Sequence, residues 1–128
     1  MSTIILVFLG GGLGSVSRYS VAFLINRFLT HHFPFATLLV NLVGCFAMGF
    51  LAGVLEGRIH VAHTIRPLLG VGFLGGFTTF SAFSIETMRL LHQKAWASAA
   101  INVGSSVVGC LGAVWLGFLL GKMVCPSR

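Results

Sequence analysis

Residues 75–84 read GGFTTFSAFS, between the apolar run PLLGVGFL and the segment IETMRLL. Gly75 and Gly76 remove two side chains in succession, which makes a break in a helix cheap. A break frees backbone groups: carbonyls that can hold a cation, and N–H groups that can face an anion. Thr78, Thr79, Ser81 and Ser84 supply hydroxyls to cap a second half-helix. Phe80 and Phe83 are three apart, so their rings project from one helix face. The edge of an aromatic ring carries partial positive charge and favours an anion without offering it water. The stretch predicts ion handling and leaves the sign of the ion open.

Other polar residues sit singly in apolar surroundings. Asn41, in LLVNLVG, must find a partner, either a neighbouring helix or a permeating species. Arg18 either snorkels to an interface or lines an aqueous vestibule that attracts anions. Glu86, one of only two acids with Glu56, either pairs with Arg89 one turn on or has a function of its own. Ser105 and Ser106 can bond back to their own helix. His60 and His63 have ligand spacing but no third ligand nearby, and His31, His32 and His92 fall in connections. Cys45, Cys110 and Cys125 are widely spaced in apolar contexts and form no disulfide framework or zinc motif. GGGLGS near the start fails as a dinucleotide loop, because Ser15 stands where GxGxxG needs glycine and no acid follows about 20 residues on. With no paired carboxylates and no Ser/His/Asp set, no enzyme is expected.

These residues need elements to position them. At 128 residues the chain is one domain by length. Its residues are 56% hydrophobic and 8% charged, where a soluble chain has about a quarter charged. So little polar surface makes lipid the solvent. A bilayer-spanning helix needs roughly 20 apolar residues, and four segments qualify, at about 4–25, 37–55, 65–91 and 96–124. The prediction is an all-α membrane protein: one transmembrane domain over 1–128 with four transmembrane helices, the third broken near 75–79. No removable signal peptide is expected, since no basic residues precede the first apolar run. Net charge is +6, but the eight basic residues are scattered, so no nucleic-acid partner follows.

Small-xxx-small pairs at Gly10/Gly14, Gly49/Gly53, Gly72/Gly76 and Gly117/Gly121 predict close helix packing. Four short helices enclose little alone, so a homo-oligomer is expected. Arg58, Arg66, Lys122 and Arg128 fall on the side of the termini, and Arg27, Arg89 and Lys94 on the other. Orientation follows such imbalances, and this one is small enough for insertion both ways up. An antiparallel pair of copies would supply the inverted repeat that many transporters build within one chain.

The segments GGGLGSVSRY, TLLVNLVGCFAMGFL and GFLGGFTTFSAFSIE, in this order, resemble the bacterial fluoride channels of the Fluc or CrcB family over essentially the whole chain. The resemblance implies an antiparallel, dual-topology homodimer in the bacterial cytoplasmic (inner) membrane. Two pores would pass fluoride out of the cell passively, lowering its toxicity, around one central structural sodium ion. The resemblance assigns the sodium to backbone carbonyls of Gly75 and Thr78. It assigns the fluoride pathway to Asn41, Phe80 and Phe83, with a hydroxyl track beginning at Ser106. Thr79 and Ser81 join the pathway, and Arg18 and Glu86 a vestibule or interface. No further protein partner is implied. Cys110 and Val114 depart from the family's hydroxyl track, Ala36 replaces a glycine, and Ala82 replaces a threonine. Two alternatives share the architecture. A small dual-topology multidrug exporter would need an acid in the first helix, and this chain has none before Glu56. A non-transporting assembly protein would use its glycines and Asn41 only to pack helices.

Overall fold

Apolar runs propagate as helix, and α-helical spans here begin or end near Pro34 and at polar turns. The computed structural model describes residues 2–28, 33–56 and 58–125, with only the backbone for 59–61. His31, His32 and Arg128 lie outside the described residues, as does the His60 side chain. Helix α1 is Thr3–Phe28, and α2, directly after Pro34, is Phe35–Val54. The third span opens with α3, Ile59–Ile65. A wide-turned π segment, Arg66–Leu74, follows with Pro67 in its first turn. The span then runs through α4, Gly75–Phe77, and α5, Phe80–His92. Helix α6 is Trp96–Val124. Four helices are long and apolar enough to cross a membrane: Thr3–Phe28, Phe35–Val54, Ala62–His92 and Trp96–Val124. No strand occurs among the described residues.

Short turns at 55–56 and at 93–94 leave the second, third and fourth spans antiparallel to their neighbours among these three. Lys94 closes the second of these with φ 58°, a left-handed conformation. The outer faces carry exposed apolar side chains such as Phe8, Val108 and Trp115, which suits contact with lipid.

Close packing falls where the small-residue pairs predict it. On α2 and α6, a Cβ on Gly49 would overlap the Val114 carbonyl, and one on Gly117 the Phe46 carbonyl. Gly53 and Gly121 face Phe118 and Phe50 in the same way, so the two helices touch backbone to backbone. On α1, Gly10 and Gly14 lie against Leu68 and Phe73 of the π segment, and Gly11 lies against Gly76. The first half of the third span therefore packs on α1, while α5 packs on α6. The break between the halves carries the chain from one helix pair to the other.

The glycines are not the broken residues. Gly75 remains helical at φ −65°, ψ −37°. The extended pair is Thr78 (φ −80°, ψ 157°) and Thr79 (φ −151°, ψ 118°). Gly76 serves close approach to α1, where a side chain would meet the backbone of Gly11.

Candidate functional site

Asn41 holds the break open. The Thr79 N–H donates to Asn41 Oδ1 at 2.8 Å, and Asn41 Nδ2 donates to the Thr79 carbonyl at 3.0 Å. In a continuous helix the Thr79 N–H would instead bond the Gly75 carbonyl. The Ala82 N–H, which would bond the Thr78 carbonyl, donates to the Thr79 hydroxyl at 3.2 Å as the cap of α5. The carbonyls of Gly75 and Thr78 thus both lose their helical donors. The two partners weighed for Asn41 resolve into one contact: it pins a neighbouring segment, and its second Nδ2 hydrogen remains to donate.

The cap makes a testable contribution. Thr79 is buried, and loss of such a cap costs about 1 kcal/mol. Thr79→Val is expected to lower the thermal midpoint of the detergent-purified protein, followed by size-exclusion after heating, whereas Thr79→Ser keeps it. Equal midpoints for the two variants would show that the cap contributes nothing.

A cavity of about 350 Å³ lies beside the break, lined by Asn41, Cys45, Thr78, Thr79, Phe80, Phe83, Ser106 and Cys110, among others. Most of the expected pathway residues therefore meet in one place. The Phe80 and Phe83 rings stand 5.3 Å apart at 45°, with Phe80 79% exposed on the isolated chain. Ser105 bonds back to the Ile101 carbonyl at 2.6 Å. Ser106 does not: its hydroxyl is buried without a hydrogen-bond partner. An unpartnered hydroxyl on a cavity wall is a donor awaiting an acceptor.

Ser81 lies outside this lining. It is exposed, and its hydroxyl sits 3.2 Å from that of Thr79, so it supports the cap. Val114 is absent from the lining as well, and its carbonyl faces Gly49.

Arg18 and Glu86 share a second cavity of about 280 Å³ with Ser15, Thr37 and Thr79. Thr79 is common to both cavities. Glu86 Oε1 accepts a hydrogen bond from the Thr37 hydroxyl at 2.8 Å, so its hydrogen-bond partner lies on α2. Among the described residues the recorded ion pair is instead Lys122 with Glu56, at 2.9 Å. The second oxygen of Glu86 is buried and unpartnered.

Sequence reasoning passed over Asn102, which is 1% exposed. Its Nδ2 donates to the Thr87 hydroxyl at 2.9 Å, and Thr87 donates to the Phe83 carbonyl at 2.8 Å. The chain ties the phenylalanine-bearing helix to α6. Its signal was the one that marked Asn41, an amide set in an apolar run. Thr37 was missed too, as a hydroxyl whose acceptor lies 49 residues away.

Known proteins are similar to this chain along nearly its whole length. The family model described as CrcB-like protein, Camphor Resistance (CrcB), matches residues 5–118. A protein of Opitutus terrae named fluoride-specific ion channel FluC is 46% identical over 121 residues, covering 93% of this chain and 92% of its own. Proteins of the same name are 42% identical in Magnetococcus marinus, over 92% of this chain and 96% of that one, and 40% identical in Nitratidesulfovibrio vulgaris, over 97% and 100%. Matched across nearly its whole length, the chain belongs to the CrcB family.

Proposed function

We propose that the protein is a passive, fluoride-selective channel that lets fluoride leave the cytoplasm and catalyses no reaction. The observation that carries this is the Ser106 hydroxyl, buried without a partner beside Asn41 and the Phe80/Phe83 pair. Fluoride is small, strongly hydrated and a strong hydrogen-bond acceptor, so a pore for it must replace water with close donors. Ser106 Oγ–H, the free Nδ2 hydrogen of Asn41 and the phenyl edges offer that set. The names of the 40–46% identical relatives support the same ion. Hydrogen fluoride crosses membranes and ionises inside, so a passive exit for the anion limits accumulation. Expression in a fluoride-sensitive bacterium lacking its own channel is expected to restore growth in fluoride. Unchanged sensitivity, with the protein present in the membrane, would refute the reading.

The functional unit is a homodimer of antiparallel copies in the bacterial cytoplasmic membrane. Small charge imbalance across the spans supports insertion both ways up. Phe80 and Gly75 are exposed on one chain, next to the break, where a second copy would cover them.

A structural sodium ion fits the residues present. Sodium is a hard cation that takes oxygen ligands, and the Gly75 and Thr78 carbonyls are two oxygens stripped of their helical donors. A two-fold related copy would double the set. When bound, the ion supplies a fixed positive charge. A unit charge at 4 Å is worth about 4 kcal/mol at an effective dielectric constant of 20, falling inversely with distance. The chain's own part is to hold those carbonyls in place through Asn41 and the Thr79 cap.

Asn102 acts on this pathway through Phe83. Asn102→Leu is expected to lower fluoride efflux roughly threefold to tenfold and to let chloride compete, while the dimer still elutes intact. Full activity with unchanged selectivity would show that the Asn102–Thr87 link only packs α5 on α6.

A further inference from the structure

Cys45 and Cys110 come from different helices and meet at the cavity. Cys45 lies one turn beyond Asn41 on α2, and Cys110 one turn beyond Ser106 on α6, so two i, i+4 stacks face each other. Glycine contacts draw α2 and α6 together, and the Leu42 side chain fills the space beside Gly109. The two thiols are half-buried and free, and both line the same cavity. Among the described residues no third His, Cys, Asp or Glu completes a larger metal-ligating group. That argues against zinc, which takes four ligands, and for soft d¹⁰ ions that bind two sulfurs in a line.

We propose that Cys45 and Cys110 form a two-thiol site for soft d¹⁰ metal ions, of which Hg²⁺ is the probe, and that its occupation closes the fluoride path. In the binding step two S–H bonds break, two S–Hg bonds form, and two protons leave to water. Nothing is oxidised or reduced. The product with Hg²⁺ is neutral, so it carries no net charge into a low-dielectric wall. It also removes both S–H groups from the cavity, including the donor one turn beyond Ser106. The link to fluoride rests on the channel reading above; the site itself does not.

The test uses full-length protein carrying Cys125→Ala, which leaves two thiols. Titration with Hg²⁺ alone, followed by sulfur–mercury absorbance and by counting reactive thiols, is expected to reach one ion per chain with both thiols lost. Two ions per chain, or one thiol left reactive, would overturn the site. In liposomes, micromolar Hg²⁺ is expected to cut fluoride efflux at least tenfold, with recovery on adding a dithiol. Cys45→Ser or Cys110→Ser, each compared with its own metal-free rate, is expected to need at least tenfold more Hg²⁺. Equal block of the Cys45→Ala/Cys110→Ala double variant would overturn the link, as would one bound ion with unchanged efflux. Absence of efflux before any mercury is added would instead count against the channel reading, and the titration would still decide the site.

Discussion

Asn41→Ala is expected to reduce fluoride efflux more than a hundredfold in a protein that still folds and dimerises. The substitution removes both hydrogen bonds that hold Thr79 out of the helix. At roughly 0.5–1.5 kcal/mol net for each, their loss is too small to unfold four packed spans. It is enough to let the Thr79 N–H return to the Gly75 carbonyl and close the break. Closure would withdraw one of the two carbonyls available to a cation and turn Phe80 away from the cavity. Asn41→Asp keeps the acceptor for Thr79 N–H but loses the donor and sets an anion in the fluoride path, so it is expected to be equally inactive. The check is efflux measured beside size-exclusion elution. An active Asn41→Ala would show that the break stands without its pin.

The second large effect comes from the seam between α2 and α6. Gly117→Leu is expected to abolish recovery of folded protein, read as loss of the monodisperse elution peak. Overpacking against side chains costs roughly 1–3 kcal/mol because neighbours can adjust. Here the added Cβ overlaps the Phe46 carbonyl itself, and only separation of the helices relieves that. Separation would also open the contacts at Gly49, Gly53 and Gly121. Gly112→Ala, at a position with open space around it, is the matched control and is expected to behave as the parent. Normal yield of Gly117→Leu would show that the seam tolerates being spread.

How far these features could be read in advance depends on whether their cause is local. Span number and membrane class follow from apolar run lengths, which any neighbourhood of the sequence shows. The glycine pairs were legible for a similar reason, since their spacing alone places them on one helix face. The break was legible only in outline. Gly75 and Gly76 attracted the inference because glycine makes breaks cheap, yet they stay helical and serve contact with α1. The residues that do break, Thr78 and Thr79, are set by where the Thr79 amide finds its acceptor. That acceptor is on Asn41, 38 residues earlier. The wide turns of Arg66–Leu74 likewise had no sequence signal beyond Pro67. Asn102 carried the same signal as Asn41, an amide in an apolar run, and its partner Thr87 lies on another helix. Cys45 and Cys110 meet only because the glycine seam brings their helices together. The site residues were thus recognisable as types, while their partners required the fold.

Under the proposed function, the cavity by the third-helix break passes fluoride and rejects chloride. The most direct test is passive efflux from liposomes containing the purified protein, with an ion-selective electrode for each anion in parallel. Rapid fluoride release under a cation shunt, with chloride retained over the same period, is the predicted result. No fluoride release, or chloride leaving as readily as fluoride, would contradict it.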